Sequence, residues 1–302
     1  AMFRVFDGKL TLEGLEFVLR PDEGSRQSVI DLVGQGQCSL KNCVVTLNPA
    51  GQADARSAVV WLPDQGKAMM MPVRPADQPP PQLTFDGCFV RGDGDLIACQ
   101  VSRPFVLRAD NTLAALRGSL LSVDAGPGAA AAAAGQMALT LNQVTTYLTG
   151  NLIRLHAGKD SSLTPVHCAP TDCLFVAAAK EAQPLIHIDG PDMEERALAD
   201  EIQWAGARTT VYGNYATMIE QTPAAEETMP QSVGPDKWGR VWDSNNPGNK
   251  PVKNFRFNSS TPPPSPDGPF GAAELRPFQS PDPTGGADGD RLNLLLPPTA
   301  AK

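Results

Sequence analysis

A ten-residue template recurring in six places constrains this chain more than any other feature of its sequence. It reads apolar-x-apolar-x-turn-apolar-x-apolar-x-apolar, first as Leu10, Leu12, Gly14, Leu15, Phe17, Leu19 and then as Cys38, Leu40, Asn42, Cys43, Val45, Leu47. The third copy is Leu83, Phe85, Gly87, Cys88, Val90, Gly92, and the fourth is Leu139, Leu141, Gln143, Val144, Thr146, Leu148. A fifth, with two extra residues, runs Val166, Cys168, Asp172, Cys173, Phe175, Ala177, and the sixth is Ile202, Trp204, Gly206, Ala207, Thr209, Val211. Period-two alternation is the signature of a strand with one face inward. Each copy is therefore two short strands joined by a one-residue bend. Gly or Asn holds the bend in four of the six copies, as a left-handed backbone favours.

Further apolar runs lie between the copies: Val29 to Val33, Ala58 to Leu62, Leu96 to Cys99, Leu120 to Val123, Leu152 to Leu155, Leu185 to Ile188 and Thr217 to Ile219. Each is a candidate third strand of a coil. Copies begin 28, 45, 56, 27 and 36 residues apart, so the 56-residue gap is expected to hold two coils. The reading is an all-β right-handed parallel β-helix over residues 1–221, followed by a Pro-rich extension over 222–302. A β-sandwich of hairpins would also give many short strands. It would place Asp-Gly turns between copies, whereas Asp86-Gly87 sits inside one.

Template and coil length together resemble the pectin-lyase-like right-handed β-helix superfamily, over roughly residues 3 to 221. The resemblance is at the level of fold. It implies a module appended to a larger bacterial surface protein, membrane-anchored Ser/Thr kinases among them. No phosphate loop or kinase signature is present, so kinase activity would belong to another segment. Resemblance to polygalacturonases would further imply an Asn-Thr-Asp, a paired Asp-Asp, a Gly-His-Gly and an Arg-Ile-Lys, none of which occurs here.

The 29 Pro and 27 Gly, with 6% aromatic residues, agree with many turns and few long helices. A net charge of -8 and no basic cluster argue against nucleic acid as a partner. The apolar stretch at Ala129 to Ala134 is too short to span a bilayer. The chain opens without a charged and apolar leader, and Ala1 before Met2 suggests a piece excised from a longer protein.

Five of the six cysteines fall on inward template positions, with Cys43, Cys88 and Cys173 directly after the bend. The expectation is a stack of small buried residues with free thiols. Zinc held by His167, Cys168 and Cys173 is the sharper alternative, but no CxxC pair occurs. From Thr222 onward the chain holds 15 of its 29 prolines. It is expected to lie along the helix body, anchored by Trp238, Trp242, Phe255, Phe257, Phe270, Phe278 and Leu292 to Leu296, and to cap one end. Pro191 to Asp200 reads as a short helix on a coil loop. Gly285 to Leu292 partly resembles the calcium nonapeptide, but it occurs once, and that motif binds calcium between stacked copies.

His156, His167 and His187 follow strand residues singly and have no nucleophile partner in sequence. The ligand-binding candidates are Asp86, Arg91, Asp93 and Asp95, an acidic run with one base that also reads as a solvated loop between strands. No catalytic residue, metal or cofactor is assigned. Outward Thr11, Ser39, Thr84 and Thr140 share one template position, and long parallel faces suit extended ligands. The expected function is a non-catalytic β-helix module, structural or binding a polysaccharide or cell-surface component, located outside the cytoplasm or at the cell surface. The alternative is a divergent polysaccharide lyase or glycoside hydrolase, its site formed by the same four residues.

Overall fold

The computed structural model describes residues 1–47, 56–64, 79–125, 135–158, 163–178, 183–190, 198, 201–205, 210–223, 230–241, 250–252 and 255–256. Within them the chain winds through seven coils of three strands each. The first coil is β1 (Phe3–Val5), β2 (Lys9–Glu13) and β3 (Glu16–Leu19); the second is β4 (Arg26–Leu32), β5 (Gln37–Lys41) and β6 (Val44–Leu47). Next come β7 (Arg56–Leu62), β8 (Gln82–Asp86) and β9 (Phe89–Gly92), then β10 (Asp95–Cys99), β11 (Phe105–Asp110) and β12 (Leu113–Leu116). The fifth and sixth coils are β13 (Leu121–Ala125), β14 (Met137–Asn142), β15 (Thr145–Leu148) and β16 (Ile153–Ala157), β17 (Val166–Thr171), β18 (Leu174–Ala177). The seventh is β19 (Ile186–Gly190), β20 (Ile202–Trp204) and β21 (Val211–Gly213).

Strands in the same place of successive coils pair in parallel, giving three sheets. Sheet A takes the first strand of every coil, sheet B the second and sheet C the third. This is a parallel β-helix. Every apolar run between template copies falls on sheet A, and the 56-residue gap does hold an additional coil, β10 to β12.

Alternation sorts the side chains into inward rows that run the length of the stack. On sheet A, Ile30, Val60, Ile97, Leu121, Ile153, Ile186 and Ile219 stand in one register. On sheet B, Leu83, Leu107, Leu139 and Cys168 do the same. These residues are buried in one continuous core. A single coil has no inside of its own, so each row becomes buried only against the coils above and below.

In the first six coils the corner between sheets B and C is made by one left-handed residue. Gly14, Asn42, Gly87, Asn111, Gln143 and Asp172 occupy it, with φ between 43° and 64°. Five of these are the bends read from the template, while Gly206 of the sixth copy lies outside the described residues. The bend amides form a ladder of their own: Gly14 N donates to Lys41 O at 2.9 Å, Asn42 N to Asp86 O at 2.8 Å and Gly87 N to Asp110 O at 3.0 Å. Asn111 N and Gln143 N continue it at 3.0 Å, to Asn142 O and Thr171 O.

The residue after the bend points inward and donates back to the carbonyl just before it. Thr112 Oγ1 reaches Asp110 O at 2.9 Å, and the thiols of Cys43, Cys88 and Cys173 reach Lys41 O, Asp86 O and Thr171 O at 3.3, 3.5 and 3.2 Å. The same thiols also meet the carbonyls of Leu12, Leu40 and Leu141 in the preceding coil at 3.3 to 3.4 Å. These cysteines thus fill a small space and supply a weak donor. All six are free and buried, and loss of hydration pushes Cys88, Cys99 and Cys173 up to about 12, far from thiolate chemistry. Among the described residues no group of His, Cys, Asp or Glu is placed to hold a metal ion.

Beyond residue 221, β22 (Ile219–Pro223) pairs with β19 in parallel, and β23 (Gln231–Val233) adds to it antiparallel. The single helical turn α1 (Trp238–Val241) brings Trp238 onto the end of the core, 5.2 Å from the Trp204 ring and 5.4 Å from Tyr212. Trp238 is buried there and closes the stack. β24 (Lys250–Val252) then pairs with β21, and Phe255 packs against sheet C. The expected anchors Trp242, Phe257, Phe270, Phe278 and Leu292 to Leu296, and the Gly285 to Leu292 turn, lie outside the described residues. So does Pro191 to Asp200, apart from Leu198, which is buried in the core. None of the described helices is long and apolar enough to cross a membrane.

The corner makes a direct stability test. A non-glycine residue held left-handed costs roughly 1–2 kcal/mol, part of which glycine returns as chain entropy. Gln143→Gly is expected to raise stability by about 0.5–1 kcal/mol in urea unfolding, and Gly87→Val to lower it by more than about 1 kcal/mol.

Candidate functional site

The outward rows of sheet A bring ionisable side chains of successive coils face to face. In one register stand Asp31, Trp61, Ala98, Ser122, Arg154, His187 and Glu220; two residues on stand Asp124, His156, Asp189 and Thr222. The chain distance between neighbours in the second row is one coil. Parallel stacking therefore sets side chains about 4.8 Å apart that the sequence separates by more than thirty residues. His156 lies between two carboxylates, its Nδ1 3.3 Å from Asp189 Oδ2 and its Nε2 4.0 Å from Asp124 Oδ1. Arg56 reaches Asp124 Oδ2 at 3.7 Å from the start of β7. His187 Nε2 meets Thr222 Oγ1 at 3.2 Å.

Arg56, Asp124, Arg154, His156 and Asp189 border a cavity of about 620 Å³ on the outside of sheet A, whereas His187 and Thr222 do not. Asp64, Asp93, Asp95, Asp124 and Asp189 line it against Arg56 and Arg154, so its charge is acidic overall. Ser57 and Trp61 line it as well, both buried. Ser57 Oγ and Trp61 Nε1 have no hydrogen-bond partner among the described residues. A buried donor left unsatisfied costs about 1–3 kcal/mol. Trp61 is held in place by the Arg26 guanidinium, 4.3 Å over its ring, and Arg26 pairs with Asp31 at 3.5 Å.

The rim of the cavity is the corner from sheet C into sheet A. Gly94, Gly118 and Gly150 stack there, and any Cβ would collide with the backbone carbonyl of the coil before: Ser57, Gly94 and Gly118 in turn. This close approach puts the next residues into a polar ladder. Asp95 Oδ1 accepts from Ser119 N at 2.7 Å, Ser119 Oγ accepts from Asn151 N at 3.2 Å, and Asn151 Nδ2 donates to Pro184 O at 2.7 Å. Burial pushes the Asp95 carboxyl up to about 6, against the Ser119 hydrogen bond and the attraction of Arg154 and Arg56.

Of the four candidates read from the sequence, Asp93 and Asp95 both line this cavity, while Asp86 and Arg91 do not. Asp86 ends β8 on sheet B, before the left-handed corner at Gly87. Arg91 is on the outer face of sheet C, its Nε donating to Thr46 Oγ1 at 2.8 Å and its guanidinium 5.5 Å over the Phe89 ring. Between residues 86 and 95 the chain turns two corners, so a run that is continuous in sequence is spread over three faces. Asp93 is paired with Arg117 at 3.1 Å. The row Asp124, His156, Asp189 lies outside the acidic run, yet "LSVD", "LIRLH" and "LIHID" place all three at one strand position.

The raised Asp95 has a consequence for stability. Its folded-state value, about 6, lies above its ordinary 3.8, so the folded chain holds that proton more tightly than the unfolded chain. This contribution is full below a pH of about 4 and is lost as pH rises through about 6. Asp95→Asn keeps an acceptor for Ser119 N and removes the loss. Its Tm is expected to match the wild type near pH 4 and to exceed it by a few degrees at pH 8; an offset independent of pH would contradict the assignment. No family model matches the chain, and neither a curated protein nor a solved structure matches it, so the reading of this cavity rests on its own geometry.

Proposed function

We propose that the chain is a non-catalytic β-helix module of a larger bacterial protein that binds a carbohydrate chain across the outer rows of sheet A. This reading is carried by the cavity itself, whose lining sets five aspartates and His156 against Arg56 and Arg154 beside the Trp61 side chain. Arg56 is already held to Asp124 by an ion pair, and His156 to Asp189 by a hydrogen bond. That spares part of the ordering cost of binding. Sugar hydroxyls donate and accept together, which suits a surface of alternating carboxylate and guanidinium groups.

The excess of aspartate favours a neutral sugar over a polyuronate, because a carboxylated chain would meet like charge along the cavity. Architecture supports the resemblance to pectin-lyase-like β-helices, and that resemblance in turn supports a place outside the cytoplasm on a surface protein. A second reading, a divergent polysaccharide lyase or glycoside hydrolase, has one observation in its favour. Asp95 lines the cavity and holds its proton up to a pH of about 6, as a general acid must. Asp93 or Asp124 would be its partner carboxylate in a hydrolytic pair.

Both readings meet in one assay of the purified chain against a panel of neutral and acidic polysaccharides, with and without calcium. Binding is followed by calorimetry, and turnover by reducing ends and unsaturated products. The proposal expects neutral ligands to bind without turnover, with Arg154→Ala and Asp189→Asn each weakening binding at least about tenfold, the scale of one lost charged hydrogen bond. Arg108→Ala on sheet B serves as the control. Turnover that disappears in Asp95→Asn would establish the enzyme reading in its place. Binding unaffected by either sheet A substitution would remove the site from this cavity.

A further inference from the structure

The middle of the outer face of sheet C is largely apolar, with Arg91 and Thr46 as its polar pair. One outward register reads Glu16, Val44, Phe89, Leu113, Thr145, Leu174, Val211 and Lys250, apolar at five of its six central positions, and the next holds Val18, Thr46, Arg91, Ala115, Tyr147, Val176 and Gly213. Their neighbours Val45, Val90, Ala114 and Phe175 point into the core, so strand alternation sends this set outward. Yet Val44 is 5% exposed, Leu113 2%, and Phe89, Leu174 and Val176 1% each. They form a hydrophobic cluster separate from the core. On the outer faces of sheets A and B, by contrast, Arg154, Asp124, Thr11 and Thr140 are exposed.

Among the described residues, the hydrophobic side chain from outside the sheet that packs on this cluster is Phe255. It lies at the seventh coil, where its ring fills the space over Gly213 and its backbone exchanges hydrogen bonds with Asn214, N to Oδ1 at 2.8 Å and O from Nδ2 at 3.2 Å. Phe89, Arg91, Thr145, Tyr147 and Phe255, all on this face, each make further interactions beyond those given above.

We propose that the outer face of sheet C is the dock of the chain's own C-terminal segment, residues 257–302. Phe255 delivers the chain onto the face at one end. From Val211 back to Val44 is five strand spacings, about 24 Å, which an extended Pro-rich chain crosses in roughly eight residues. The segment is several times that length. It carries Phe257, Phe270, Phe278 and the run Leu292 to Leu296 to match the apolar registers. Its prolines bring no backbone N–H that would have to be buried unpaired against an apolar face. The segment acts as a strap across successive coils, and it leaves sheets A and B as the faces open to a ligand.

The test uses the full chain with the photoreactive residue p-benzoylphenylalanine in place of Tyr147, which is half-buried, or of Phe89. Irradiation and peptide mapping of a mixture of light and heavy isotope-labelled protein identify what each position touches. Intramolecular cross-links to residues 257–302 are expected. Cross-links to any other segment, light-to-heavy cross-links between copies, or no cross-link would overturn the proposal. A second readout needs no photoreactive residue: the full chain with Phe270→Ser and Phe278→Ser is expected to bind anilinonaphthalene sulfonate with severalfold higher fluorescence, and an unchanged signal would count against the dock.

Discussion

The left-handed residue at the corner between sheets B and C is the constraint on which the rest of the molecule depends. One residue in that conformation turns the chain without spending a loop, so the strands on either side keep their alternation in phase. Its amide bonds to a carbonyl of the next coil, which fixes the height of each coil, and that carbonyl also accepts from the inward donor of its own coil, as Asp110 O does from Gly87 N and Thr112 Oγ1. Asn and Asp accept the conformation at low cost, Gly at none, and Gln143 pays most. With corner and height fixed, the registers of sheets A and C follow.

The three outer faces then differ only through the residues that alternation sends outward. Sheet C presents an apolar ladder that is buried. Sheet B presents the polar rows of Thr11, Ser39, Thr84, Arg108 and Thr140. Sheet A gathers the charges, and the glycine stack Gly94, Gly118, Gly150 draws the backbone close enough at its rim for Asp95, Ser119 and Asn151 to bond in series. Asp95 is recessed as a result, and its proton is held up to a pH of about 6. One backbone repeat thus yields a buried apolar face, a polar face and a face with a charged cavity.

Much of the fold was legible because the template repeats the two strands and the bend in a fixed order. The fourth coil was passed over as a template copy, since Ala109, Thr112 and Ala114 are weakly apolar or polar; Asn111 at the bend and Thr112 at the inward donor position mark it once the role of those positions is known. The thiols were legible as inward, but their bonding to the carbonyl before the bend was not, because it depends on where a backbone oxygen lies. The pairs Gly94-Asp95, Gly118-Ser119 and Gly150-Asn151, each followed by Leu, were a usable signal for the rim of the site. The candidate site was only partly legible. Nearness in sequence grouped Asp86 and Arg91 with Asp93 and Asp95, whereas nearness in a solenoid joins residues one coil apart, as in Asp124, His156 and Asp189.

Parallel stacking of one coil on the next is visible in methyl-to-methyl nuclear Overhauser effects, recorded on perdeuterated chain with labelled Ile, Leu and Val methyls. The account requires effects linking Leu83 to Leu107 to Leu139, and Ile97 to Leu121 to Ile153 to Ile186 to Ile219, since each pair is one strand spacing of about 4.8 Å apart. Effects confined to strands adjacent in sequence, as hairpins would give, would contradict it.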